Sequence, residues 1–294
     1  MTKPSDLAKL KPRKAKESPQ QPIQRDKSPL AINDVEAPKD DQQDAPVSPV
    51  VKPIVYTCEH PEIRKCKIVR HQAVQTQAFT RWCNWKFAGF NETVKDIYVD
   101  FRCGTLLCKL ARILACTEFN PIKENAINMA DRMQNVNAAV RFLRQKKMLF
   151  IENFSASGFV RGTKKDVLDL FWGIIYAVEI KPIAYNMATD RFALISWIQE
   201  KLCVYEGITI RDFTESFADG FALLAFVHSI NPSLVDLEDF KMKSVTEKAR
   251  VAFSLAQINW STPSIIEHHD FAYELDESSM IIQFALWFNK LQRG

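Results

Sequence analysis

The strongest constraint on this chain is a sentence it contains twice. Residues 217–232 read FADGFALLAFVHSINP: an aromatic, a glycine, a helix-period apolar run (Leu223, Leu224, Phe226, Val227, Ile230) and an Asn-Pro stop. Residues 101–121 read FRCGTLLCKLARILACTEFNP, with Phe101, Gly104, the apolar set Leu107, Leu110 and Leu114, and the stop Asn120-Pro121. The correspondence extends outward. Trp82 and Trp197 are 115 residues apart, as are Trp172 and Trp287, and Gly104 lies 116 before Gly220. Solenoid repeats run on the order of 20–50 residues, so a period this long is that of a whole domain. The 294 residues therefore divide into two related domains and a tail, each domain built around one central buried helix.

The secondary-structure class follows from what is scarce. There are only 8 glycines, and the single Asp-Gly, Asp219-Gly220, opens a helical run instead of joining two alternating strands. With 47% apolar residues arranged at a 3.6-residue period, the chain reads as all-α. Helices are expected near 71–87, 104–116, 135–145 and 164–178 in the first domain. In the second they are expected near 191–202, 221–230, 246–256 and 276–291. Thr189 or Asp190 is expected to cap the fifth of these, and Asp276 or Ser278 the last. The four tryptophans of the repeat are expected in the cores. The seven cysteines are odd in number, irregularly spaced and without a Cys-x-x-Cys pair, so they read as reduced and mostly packed, without a zinc site. No apolar run approaches the ~20 residues of a membrane helix, and the polar N-terminus carries no signal-peptide pattern.

Residues 1–60 hold 9 of the 14 prolines and a single aromatic, Tyr56, a composition expected to be disordered. The tail includes Ser18-Pro19, Ser28-Pro29 and Ser48-Pro49, a pattern that proline-directed kinases use and that is also common in such tails. The first domain, 61–182, carries 20 Lys and Arg against 11 Asp and Glu; the second, 183–294, carries 9 against 15. A basic domain joined to an acidic one by a short linker, 183–188, predicts a closed resting pair in which the second packs on the first.

Residues 75–84, QTQAFTRWCN, resemble the opening signature of actinin-type actin-binding domains: Gln75, Ala78, Phe79, Trp82 and Asn84 meet its positions. Residues 96–107 (DIYVDFRCGTLL) and 135–143 (NVNAAVRFL) are similar to two further family motifs, and the second domain repeats the pattern through 217–220 and 276–281. Over about residues 70–292 the resemblance implies two tandem calponin-homology helical bundles that bind filamentous actin. Cys103, Arg161, Thr163 and Asp169 depart from the family pattern, all in the first domain.

An actin filament presents an acidic surface according to the family picture, so the resemblance implies contact through cations with some apolar area. Three patches qualify: the lead-in Lys65, Lys67 and Arg70; the first helix with Phe79, Thr80, Arg81 and Lys86; and the start of the first domain's last helix with Lys164, Lys165, Val167 and Leu168. Phe79 and Leu168 have a competing reading as core, and the lysines as an ordinary solvated face. A phosphoinositide is a further partner that the family allows. Nucleic acid is disfavoured, because no dense basic stripe with interleaved aromatics exists. No histidine lies in a nucleophile or metal-ligand pattern and no phosphate-binding glycine loop occurs, so neither an enzyme nor a cofactor is expected. The chain is expected to be a cytoplasmic, monomeric actin-cytoskeleton module; the alternative is a scaffold of the same fold that binds other cytoskeletal or signalling proteins.

Overall fold

The computed structural model describes residues 61–183, 190–273 and 275–293. The expectations for the 1–60 tail, for Cys58 and for nearly all of the 183–188 linker lie outside them. Among the described residues every regular element is helical.

The first bundle comprises α1 (Pro61–Lys86), α2 (Ile97–Asp100), α3 (Thr105–Ala115), α4 (Met129–Gln145), α5 (Ala156–Arg161) and α6 (Lys164–Ile175). Helix α1 begins ten residues before the expected 71. Residues 65–70 bury no side chain: Lys65, Cys66, Ile68, Val69 and Arg70 are exposed and Lys67 is half-buried. Apolar periodicity therefore marked only the part that packs, through Val74, Ala78, Phe79, Trp82 and Cys83. Helix α4 also starts early, because Asn128 caps it: the Asn128 side chain accepts from Asp131 N at 2.8 Å. Helix α6 ends in an irregular joint, a π-helical turn (Tyr176–Ile180) followed by a 3-10 turn (Lys181–Ile183). The second bundle comprises α7 (Asp190–Leu202), α8 (Phe221–Ile230), α9 (Val245–Trp260) and α10 (Glu277–Arg293). Asp276 caps α10, its Oδ2 accepting from Ser279 N at 2.8 Å.

The central helices α3 and α8 start alike. Gly104 (φ 76°) and Gly220 (φ 70°) are their left-handed N-caps. A Cβ on Gly104 would lie 2.9 Å from Val136 N, and one on Gly220 2.9 Å from Val245 O. Both positions thus combine a positive φ with close approach of the neighbouring helix, two requirements that only glycine meets together. Asn135 holds the surroundings of α3 in register. It is fully buried, donates from Nδ2 to Cys103 O (3.1 Å) and Lys123 O (2.7 Å), and accepts from Lys123 N (2.8 Å) through Oδ1.

Three of the four repeat tryptophans are core. Trp82 and Trp287 are fully buried and Trp197 nearly so, but Trp172 is partly exposed. It packs beside Tyr176 at the bundle's edge. The expectation of mostly packed cysteines also needs correction. Cys83 and Cys108 are buried, Cys103 is intermediate, and Cys66, Cys116 and Cys203 are exposed; all six are free thiols. Burial pushes the Cys108 thiol up to about 12, with the neighbouring Cys103 adding to it, so it is inert near neutral pH.

Candidate interaction surface

The three proposed patches separate once side chains are placed. Phe79 is fully buried, and Val167 and Leu168 lie in the same core. These apolar members are therefore packing residues in this conformation, not contact residues. The cause is helix geometry: Phe79 shares the face of α1 that carries Trp82 and Cys83, and Val167 and Leu168 share that of Leu170 and Phe171 on α6. Thr80 is half-buried and donates its hydroxyl to Thr76 O (2.7 Å) in its own helix.

Two cations of α1, Arg70 and Arg81, meet the second bundle, while Lys86 is held within the first. The Arg70 guanidinium sits 3.2 Å from the centroid of the Tyr273 ring. Arg81 donates to Ile265 O at 3.0 Å and to Gln77 at 3.3 Å, and forms an ion pair with Glu267. Burial pulls the Arg81 guanidinium below its ordinary pKa, and Asp270 opposes that shift. Lys86 pairs with Glu179 Oε1 at 2.7 Å and lies over the rings of Trp85 (4.0 Å) and Trp82 (5.5 Å). Lys65 is exposed and Lys67 half-buried, on the protruding start of α1.

The third patch is open. Lys164 and Lys165 are exposed at the first turn of α6, and Lys165 pairs with Asp169 at 2.5 Å. The substitution of Asp169 for a small residue thus supplies a partner to a surface lysine. Beside this turn lies a groove of about 550 Å³ lined by the apolar Phe150, Ile151, Trp172 and Tyr176 together with Glu152, Asn153, Lys165 and Asp169. Phe150 is 56% exposed, and Lys181 lies 5.4 Å from its ring. Pattern reading missed this groove, because Phe150 follows the end of α4 and belongs to no periodic run. Glu179 was missed as well, although a lone carboxylate in the apolar stretch of 170–180 was a visible signal.

Two bundles with the same glycine-capped central helix, in tandem in one chain, constitute the architecture. The model of the calponin homology (CH) domain matches residues 73–180 and again 188–293. The chain belongs to the calponin homology family. Its tandem CH domains are similar to those of several longer proteins. The erythrocytic spectrin beta chain of Mus musculus is 29% identical over 75% of this chain and 11% of its own length. Alpha-actinin-like protein 1 of Schizosaccharomyces pombe is 29% identical over 74% of this chain and 36% of its own. Cortexillin-1 of Dictyostelium discoideum is 26% identical over 74% and 50%. The chain thus spans from about a tenth to half the length of these relatives. Among solved structures, the actin-crosslinking core of Schizosaccharomyces pombe fimbrin matches with a TM-score of 0.61 and 16% identity, over 74% of this chain and 48% of that one. That likeness concerns the fold. Among the described residues, no helix is long and apolar enough to cross a membrane, and no group of acidic, histidine and cysteine side chains is placed to hold a metal ion.

Proposed function

We propose that this chain is a non-enzymatic binding module of the actin cytoskeleton that attaches to the side of actin filaments, chiefly through its first CH domain. The observation that carries the reading is the exposed edge of α6. There Lys164 and Lys165 stand beside the open aromatic groove of Phe150, Trp172 and Tyr176, on a domain with a marked excess of cations. Cations give attraction and orientation toward an acidic surface, and the rings give apolar area to desolvate. The basic start of α1, with Lys65 and Lys67, adds to the same attraction.

Arg70 and Arg81 are engaged with the second CH domain, so they join a filament contact only after that domain moves away. Binding then carries the cost of opening, and the resting pair is restrained. Co-sedimentation with filaments at two salt concentrations tests the reading. Affinity is expected to fall as salt rises, because exposed charges are screened over ~8–10 Å near physiological ionic strength. Lys164→Glu with Lys165→Glu is expected to weaken binding several-fold while leaving the melting temperature unchanged. Equal co-sedimentation of wild type and double mutant removes the α6 edge from the contact.

A further inference from the structure

The groove beside the start of α6 is built like a site for an extended, proline-bearing segment. It holds a row of rings: Tyr176 stands 5.3 Å from Phe150 and 6.2 Å from Trp172 between centroids. None of the three rings is fully covered, and Phe150 is more than half exposed. Lys164, Lys165 and Lys181 stand around the row, all exposed, against the carboxylates of Glu152 and Asp169. Aromatic-lined grooves are a general means of holding polyproline II segments, which are already extended and have little entropy left to lose.

The chain carries such a segment itself, upstream of α1. Residues 40–53 read DDQQDAPVSPVVKP. Asp40, Asp41 and Asp44 lead, and the Pro-x-x-Pro pair of Pro46 and Pro49 follows with Val47, Val50 and Val51. On a polyproline II helix Pro46 and Pro49 share one face, one turn and ~9 Å apart, a length that a row of three rings at these separations can match. The aspartates complement Lys164, Lys165 and Lys181 in charge. The tether is long enough. The Thr76 hydroxyl on α1 lies 2.7 Å from Tyr98 Oη, and the Tyr98 carbonyl adjoins Gly162, two residues before α6. From Thr76 the helix runs back ~22 Å to Pro61, at 1.5 Å per residue. Pro49 is a further twelve residues upstream, and an extended chain turns those into up to ~40 Å. A tether of this length gives an effective concentration on the order of millimolar, so a contact too weak to form between separate molecules is populated within one.

We propose that residues 40–53 dock in the Phe150–Trp172–Tyr176 groove of the first CH domain, with the prolines on the rings and the aspartates at the lysines. The segment offers what an acidic partner surface offers, negative charge next to apolar area. It is therefore an internal occupant of the α6 edge. While docked it covers Lys164 and Lys165, and an external acidic surface has to displace it. The apparent affinity for that surface is then scaled by the fraction of chains whose groove is free. The competition with filaments rests on the function proposed above, but the docking does not.

The docking is tested on the full chain, dilute and without filaments. A carbodiimide condenses a carboxylate with an adjacent amine into an amide. Mass spectrometry is expected to find links from Asp40, Asp41 or Asp44 to Lys164 or Lys165. In an equal mixture of nitrogen-15-labelled and unlabelled chains, those links are expected within single chains. Pro46→Ala with Pro49→Ala keeps every charge and is expected to lower their yield about threefold or more, with the Glu92–Lys109 link as the unchanged reference. Phe150→Ala, from the groove side, is expected to do the same. Absence of the links in wild type overturns the docking. An equal yield in the proline variant also overturns it, since charge attraction alone then accounts for the links. Links formed mainly between chains overturn it in favour of a second copy. In co-sedimentation the proline variant is expected to bind filaments about threefold more tightly than wild type. Equal binding by the two overturns the competition. Binding by neither, with the links present in wild type and lost in the variant, refutes the filament reading and leaves the docking established.

Discussion

Trp287 and Trp172 occupy equivalent places in the repeat, yet removing them should have unequal effects. Trp287 is fully buried and surrounded by rings: Phe284 at 5.1 Å, Trp260 at 5.4 Å, Phe226 stacked at 5.7 Å and Phe253 at 5.8 Å between centroids. A buried indole removes up to ~250 Å² from water. At ~25 cal/mol per Å² that is about 6 kcal/mol, of which an alanine methyl retains a part. The lost ring pairs and the cavity keep the net cost of Trp287→Ala at about 3–5 kcal/mol. Trp172 is partly exposed, and its one ring neighbour among the aromatic pairs is Tyr176 at 6.2 Å. Trp172→Ala should therefore cost about 1–2 kcal/mol, on the scale of a partly buried apolar side chain. For a chain of this size each kcal/mol moves the melting temperature by roughly 2–4 °C. The expected drops are about 6–20 °C for Trp287→Ala and about 2–8 °C for Trp172→Ala. Thermal unfolding followed by far-ultraviolet circular dichroism measures both. Equal shifts, or a larger one for Trp172→Ala, would refute the argument that burial, and not position in the repeat, sets the cost.

Two more predictions bear on the second CH domain. Gly220→Ala should cost about 2–5 kcal/mol, combining the left-handed backbone with a methyl pressed against Val245 O, whereas Gly207→Ala (φ 82°, nothing within 4 Å) should cost only about 1–2 kcal/mol; urea midpoints for the two variants compare them directly. Desolvation resists ionisation of Asp212, but hydrogen bonds from Ser216 and Thr214 outweigh it and hold this carboxyl below its ordinary pKa. A depressed folded-state value stabilises the domain above the unfolded pKa of about 3.9 and loses that effect as pH falls through the lower folded value. The stability gap between wild type and Asp212→Asn should accordingly narrow in urea titrations below about pH 4, and a gap independent of pH would contradict the assignment.

The fold was legible because it is written in periodicities and in repetition. The run of α8 matched its apolar period residue for residue, and the glycines that start α3 and α8 sit where two helices approach within a methyl's width. Boundaries failed where a cap or a protrusion set them. Asn128 starts α4 before its apolar stripe begins, and residues 65–70 of α1 have no buried stripe at all. The candidate surface was legible in its charges and illegible in its orientation. Sequence places Arg81 and Lys164 alike on cationic helices, but only packing decides that Arg81 meets Glu267 while Lys164 meets solvent. Phe79, Val167 and Leu168 were drawn in by the patches they belong to, and the helix face they share with the core decides against contact. The Phe150 groove depends on a loop folding back on α6, where Phe150 N donates to Gly173 O, a pairing that no local pattern encodes.

Asn135 shows how completely one position can be determined by the groups around it. Its side chain meets two carbonyls and one N–H: the C=O of Cys103, and both the C=O and the N–H of Lys123. Only a carboxamide of that length offers two donor hydrogens and an acceptor together. Aspartate would turn a negative oxygen toward two carbonyl oxygens, leucine would leave three backbone groups without partners, and glutamine would carry its amide a methylene too far in a fully buried site. The neighbouring loop keeps its shape without a helix, a strand or a metal of its own because a single amide reads both sides of its chain.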